Sequence, residues 1–169
     1  GGSRFAGGLV RGGGMRVREI VRDLKAFSRA DAEARETVDL HRVLQSALGL
    51  AQNEIRHRAR LEVDVGQVPP VTASEHRLAQ VFLNLLINAA QSIPVGRAAE
   101  NVIRAVTATA ADGRAMVEIA DTGCGIAPEV LPRIFDPFFT TKPVGVGTGL
   151  GLSICHGIVI GMGGEIQVE

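Results

Sequence analysis

The sequence predicts a two-layer α+β sandwich with its helices gathered on one face of a sheet. Segments of helical period and segments of strand period alternate in blocks, the pattern of that architecture. Two β-rich runs meet across Asp112-Gly113, a favoured hairpin turn, so at least part of the sheet is antiparallel. A length of 169 residues, 46% hydrophobic and 21% charged, suits one soluble globular unit and excludes a disordered chain.

The elements follow in order. Residues 1–14 hold seven glycines and little periodicity, so they read as a flexible, tag-like segment. Met15, Val17, Ile20, Val21, Leu24 and Phe27 mark a short amphipathic helix with an arginine-rich polar side. Residues 30–37, mostly charged residues and alanine, read as a linker. Asp39 is the expected N-cap of a second helix that buries Val43, Leu44, Ala47, Leu48, Ala51 and Ile55. Leu61, Val63 and Val65 alternate with Glu62 and Asp64, the period of a half-buried strand, and Pro69-Pro70 ends it.

A third helix is expected from Ser74 to about Ile93, stopped by Pro94 and Gly96. Strands at 102–109 and 114–120 form the hairpin. A glycine-rich turn, a short helix near 129–134 and an aromatic-then-glycine loop come next. The chain closes with a helix from about Leu150 and a last strand, Glu165–Glu169.

Composition removes several function classes. Eighteen Lys and Arg balance eighteen Asp and Glu, which argues against a nucleic-acid binder or an anionic-membrane binder. The charge is uneven: residues 1–60 carry 12 basic against 7 acidic side chains, and residues 61–169 carry 6 against 11. A polyphosphate held by this acidic second part needs backbone dipoles, local cations or a metal. Two cysteines, Cys124 and Cys155, with no zinc spacing, make a disulfide scaffold or a structural zinc site an unattractive reading. The longest apolar stretch is shorter than the roughly 20 residues a bilayer span takes, and no signal pattern opens the chain, so a cytoplasmic location is expected.

Three local patterns carry chemistry. On the third helix, Leu78, Val81, Phe82, Leu85, Leu86, Ala89 and Ile93 share one arc, and Asn84, Asn88 and Gln91 stack on a strip beside it. Asparagine is a poor helix former, so two of them one turn apart want a reason. An amide oxygen is a neutral hard ligand for Mg²⁺, and an amide NH₂ donates to phosphate. A solvated polar stripe would show the same pattern. Next, Asp121-Thr122-Gly123-Cys124-Gly125-Ile126 follows a strand. A carboxylate fixed there can accept from an exocyclic amine such as adenine N6, while Gly123 and Gly125 let the backbone approach a flat ligand.

The third pattern is Gly145-Val146-Gly147-Thr148-Gly149-Leu150-Gly151-Leu152-Ser153, which opens a helix. Glycines before a helix N-terminus present N–H groups and a positive dipole end to phosphate oxygens. It is neither a P-loop nor a dinucleotide fingerprint, since the required Gly-Lys-Ser/Thr and third glycine are missing. Before it, Phe135-Asp136-Pro137-Phe138-Phe139-Thr140-Thr141-Lys142 places three phenylalanines and a lysine where a lid could close; two of the three rings are expected in the core.

In this order, the patterns resemble the ATP-binding catalytic domain of bacterial sensor histidine kinases. Asn84-x-x-x-Asn88-Ala89 is similar to the family's N box, and Asp121 to Gly125 resembles its first glycine box. Phe135 to Lys142 resembles its F box, and Gly147 to Leu152 its second glycine box. The resemblance covers residues 38–169. It implies the Bergerat-type fold shared with DNA gyrase and MutL, with a mixed, mostly antiparallel sheet. It further implies ATP and Mg²⁺ as ligands, with Asn88 on the metal and Asp121 reading the adenine.

The implied ATP-binding set is Asn84, Asn88, Gln91, Asp121, Gly123, Gly125, Ile126, Lys142, Gly147, Thr148, Gly149, Leu150, Gly151 and Leu152. The implied partners are a histidine-bearing dimerisation domain and then a response-regulator receiver domain, in a homodimeric parent. Gyrase-type ATPases place a glutamate one turn before the metal asparagine. Here that position is Asn84, and an amide cannot take water's proton, which favours phosphoryl transfer over a gyrase-type ATPase.

Two departures stand out. Residues 15–29 resemble the second helix of the family's dimerisation domain, yet none of the four histidines has the phosphoacceptor's context, so no catalytic histidine is expected here. The chain also stops at Glu169, before the Gly-Thr-x-Phe strand usual in the family, so the catalytic domain reads as C-terminally truncated. A non-catalytic nucleotide-binding module remains the second alternative.

Overall fold

The computed structural model describes residues 35–142 and 147–169. The glycine-rich start, the amphipathic helix at 15–27, most of the linker, and Gly145 and Val146 of the glycine loop lie outside them. The elements run β1 (Glu36–Val38), α1 (Leu40–Ile55), β2 (Arg60–Val65), β3 (Val71–Ala73), α2 (Glu75–Gln91), β4 (Val102–Thr109), β5 (Ala115–Asp121), a 3₁₀ turn (Leu131–Arg133) and α3 (Gly151–Gly161).

Capping starts the two long helices where the sequence places them. Asp39 Oδ1 accepts the N–H of His41 at 2.9 Å, and Ser74 Oγ accepts the N–H of Arg77 at 3.4 Å. All six apolar residues expected on the inner side of α1 are buried. Leu78, Val81, Phe82, Leu86 and Ala89 are buried on α2, as is Ile93 just beyond it; Leu85 is half-buried. The arc predicted from a 3.6-residue period is therefore real.

One sheet has the order β2-β4-β5, with β2 and β4 parallel and β4 and β5 antiparallel; β1 and β3 form a separate antiparallel pair. Helix α1 packs on α2, α2 packs on α3, and α2 lies over β5. The two-residue period sends Ile103, Ala105 and Thr107 of β4 into the core beneath these helices. Glu62, Asp64, Arg104 and Glu118 stay exposed, and Arg104 pairs with Asp64 at 3.3 Å. This is the expected α+β sandwich with a mixed sheet.

Four expectations need correction. Strand β2 is not half-buried: it is the sheet's edge, and Leu61, Val63 and Val65 are 37%, 45% and 53% exposed. Glu36 and Thr37, in the stretch read as linker, belong to β1, and β3 follows the two prolines directly. The short helix near 129–134 is only the 3₁₀ turn, with Pro132 inside it. Residues 165–169 form no strand; Ile166 and Val168 pack on the core while Glu165, Gln167 and Glu169 stay exposed, so the alternation persists without a hydrogen-bonded neighbour among the described residues.

Candidate functional site

Three walls meet at the C-terminal half of α2. The first is Asp121. The period of β5 puts Ile119 and Asp121 on its helix-facing side, where Asp121 lies across from Ile103 of β4. The residue is 6% exposed, and its Oδ1 accepts the Ser92 hydroxyl at 2.8 Å and the Gly123 N–H at 2.8 Å. A β-carbon on Gly123 would stand 1.8 Å from Ser92 Oγ, so only glycine fits the turn. Gly125 (φ +69°) redirects the chain, and Ile126 packs against the core. Beside this turn, Cys124 to Ala127, Leu131 and Glu169 line a cavity of about 360 Å³.

The second wall is the amide strip. Asn84, Asn88 and Gln91 are all half-buried along the border of the apolar face of α2, not on a solvated stripe.

The third wall is the glycine loop and the start of α3. Gly149 (φ +69°) accepts the Phe138 N–H on its carbonyl at 2.9 Å, and its missing β-carbon would lie 2.5 Å from the Phe138 carbonyl carbon. Thr148 Oγ1 accepts the N–H of Leu150 at 3.3 Å. The N–H of Ile154 makes a helical bond to Leu150 O at 2.9 Å. Upstream of it, the N–H groups of Gly151 and Leu152 have no carbonyl one turn earlier in the helix, and the first turn carries no acidic residue. A β-carbon on Gly151 would lie 3.9 Å from Asn88 Nδ2, so the second and third walls face one another.

Lys142 lies against Gly147 of the glycine loop. Its chain passes 2.8 Å (at Cδ) from where a β-carbon on Gly147 would stand, and Thr140 Oγ1 accepts its N–H at 3.2 Å. Burial holds the Lys142 ammonium below the usual lysine range. The aromatic run departs from expectation, because none of its three rings is fully buried. Phe135 stacks against His156 of α3 with centroids 4.9 Å apart, Arg133 lies 4.5 Å over the Phe139 ring, and Phe138 is 67% exposed with φ +65°.

Among the described residues no group of three or more His, Cys, Asp or Glu side chains could hold a metal. The donors present here are neutral amides, a set that suits Mg²⁺ only when phosphate oxygens and waters complete the octahedron. Asn88 lies beside the start of α3, its Nδ2 3.9 Å from where a β-carbon on Gly151 would stand.

The sequence pattern of the histidine kinase-, DNA gyrase B-, and HSP90-like ATPase family matches residues 73–169, which contain all three walls. The chain belongs to this ATPase family. Among its relatives, the sensor kinase CckA of Brucella abortus is 37% identical over 167 residues, covering 91% of this chain and 18% of CckA. The mycobacterial sensor histidine kinase MprB superposes with a TM-score of 0.63 at 30% identity, covering 77% of this chain and 81% of that one. Full-length ShkA, solved with AMPPNP, gives a TM-score of 0.69 at 27% identity over 90% of this chain and 34% of ShkA. The chain spans less than half the length of these curated relatives, from 17% to 43%. Within the ATPase family it corresponds to the ATP-binding catalytic domain of sensor histidine kinases.

Of the residues singled out in the sequence, the structure brings Asn88 beside Gly151 and Lys142 beside Gly147, while Asp121 joins the end of α2 through Ser92. Sequence reasoning missed Ser92 and the backbone bond from Phe138 to Gly149. The one local signal for Ser92 was its place as a hydroxyl residue at the end of an apolar helix, two residues before a proline.

Proposed function

We propose that this domain binds Mg·ATP between α2 and the glycine loop and presents the γ-phosphate to a histidine on a separate dimerisation domain. The observation that carries the reading is the convergence of Asn88 and the start of α3 on one side, with the buried Asp121 at the end of α2. Asp121 accepts the exocyclic amine of adenine. The N–H groups of Gly151 and Leu152 and the Lys142 ammonium hold phosphate oxygens. Asn88, helped by Asn84, would hold the cation, which would supply charge neutralisation to the phosphates when bound.

Asn84 separates this site from a hydrolase. Its amide cannot accept a proton from water, so the bound triphosphate waits for an outside nucleophile. Phosphoryl transfer needs positioning and charge neutralisation, and the domain contributes both without a covalent nucleophile of its own. A receiver domain then takes the phosphoryl group from the histidine, in a homodimeric parent protein working in the cytoplasm, where ATP is available. No helix among the described residues is long and apolar enough to cross a membrane.

The test mixes the chain with Mg·ATP and a separately produced histidine-bearing dimerisation domain and follows acid-labile phosphate. Label on the histidine domain supports the reading. Steady release of inorganic phosphate by the chain alone, with no label transferred, replaces it with a gyrase-type ATPase.

A further inference from the structure

We propose that Ser92 is the positioning residue that fixes the Asp121 carboxylate for purine discrimination, an inference that rests on Asp121 reading the base. Ser92 follows directly on α2 and is 6% exposed. Its hydroxyl lies 2.8 Å from Asp121 Oδ1 and 2.8 Å from the carbonyl of Ala89. That carbonyl is passed over at the helix end: the Ser92 N–H goes to Asn88 O and the Ile93 N–H to Ala90 O. One hydroxyl hydrogen therefore faces two acceptors. With Asp121 ionised, the charged acceptor makes the stronger bond.

The second donor to the same oxygen, the Gly123 N–H, comes from the turn after β5. Donors from two elements thus converge on Oδ1, and the carboxylate cannot rotate about its Cβ–Cγ bond without losing one. The fit also restricts position 92. The space opposite Gly123 is so tight that a β-carbon there would fall 2.5 Å from Ser92 Cβ, and serine is the smallest side chain that carries a hydroxyl. Ser92 links the end of the helix bearing Asn88 to the residue that reads the base. It touches neither base nor phosphate in this role.

Inosine triphosphate is the discriminating probe, because it replaces the 6-amino group with a carbonyl and leaves the sugar and triphosphate unchanged. Titration calorimetry on the whole chain compares ATP with inosine triphosphate for wild type, Ser92→Ala, Ser92→Cys and Asp121→Asn. Ser92→Ala is expected to weaken ATP about tenfold and to leave inosine triphosphate within a factor of two, so the preference shrinks. Ser92→Cys keeps a small, weaker donor and should fall between, which keeps the test open if the alanine variant does not fold.

Equal loss for both nucleotides in the Ser92 variants makes the residue merely structural and overturns the proposal. A preference lost in Asp121→Asn but intact in Ser92→Ala overturns it too, while sparing Asp121 as the reader. A preference unchanged in Asp121→Asn removes the base-reading role itself, and the positioning role with it.

Discussion

Asn88 on α2 and Gly151 at the start of α3 face each other across a gap that a single methyl group would fill: a β-carbon on Gly151 would sit 3.9 Å from Asn88 Nδ2. That distance is an ordinary van der Waals contact, so glycine is not required here for packing. Gly151→Ala should leave stability unchanged or raise it by up to about 1 kcal/mol, since alanine is the better helix former. The methyl group nonetheless narrows the space between the Asn88 amide and the helix start proposed to hold phosphate. ATP affinity should fall at least about tenfold while adenosine affinity holds. Equal loss of adenosine in titration calorimetry would move the phosphate seat elsewhere.

Gly149, two residues earlier, should behave in the opposite way. It combines φ +69° with a β-carbon position 2.5 Å from the Phe138 carbonyl carbon, and its carbonyl takes the Phe138 N–H. Gly149→Ala meets both the left-handed backbone penalty and a backbone clash, so urea unfolding should show a loss of about 2 kcal/mol or more. An unchanged urea midpoint would mean the loop relaxes freely and does not clasp Phe138.

The contrast between these two glycines shows what the sequence makes legible. Caps at Asp39 and Ser74, the inner arcs of α1 and α2, and the inward side of β4 rest on local periodicity and on chemistry within four residues. Strands β1 and β3 are three residues each, too short for alternation to register. Residues 165–169 alternate correctly but have no described ladder partner, which a pattern cannot reveal. Within the site, residue types at motif spacing expose Asn88, Asp121 and the glycine loop. The Ser92–Asp121 bond spans 29 residues, and the different demands on Gly149 and Gly151 depend on what the fold brings opposite each.

Asn88→Ala should separate cation binding from base binding. If its amide oxygen holds Mg²⁺, the variant loses the Mg²⁺-dependent part of ATP binding, about tenfold to a hundredfold, and binds adenosine as the wild type does. ATP titrations with Mg²⁺ and with a chelator read the difference. An equal loss under both conditions would make Asn88 a packing residue of α2.

Lys142 gives the site a pH dependence with a definite sign. Burial lowers its value in the folded chain, so the unfolded chain holds that proton more tightly. Between the lowered folded value and the usual lysine value, stability therefore rises with pH. A triphosphate needs the charged form, so ATP affinity should fall as pH rises through the folded value. Lys142→Met should raise the thermal midpoint of the nucleotide-free chain, weaken ATP about tenfold at neutral pH and flatten the alkaline decline. A decline of the same slope in the variant assigns the proton to another group.

The ring contact between Phe135 and His156 ties the aromatic run to the same helix whose first turn is proposed to hold phosphate. The aromatic run, which we propose acts as a lid, is thereby held at two points: the Phe138 N–H bonds the Gly149 carbonyl before α3, and Phe135 rests on His156 within it. Removing one clasp should loosen the lid without removing any group that binds ATP. Ring pairs of this kind contribute about 0.5–1.5 kcal/mol. His156→Ala should therefore speed dissociation of a fluorescent ATP analogue by about twofold to tenfold, while His156→Phe, which keeps a ring, should stay close to wild type. Stopped-flow displacement measures both rates. If the alanine variant releases nucleotide at the wild-type rate, the Phe138–Gly149 bond alone sets the lid.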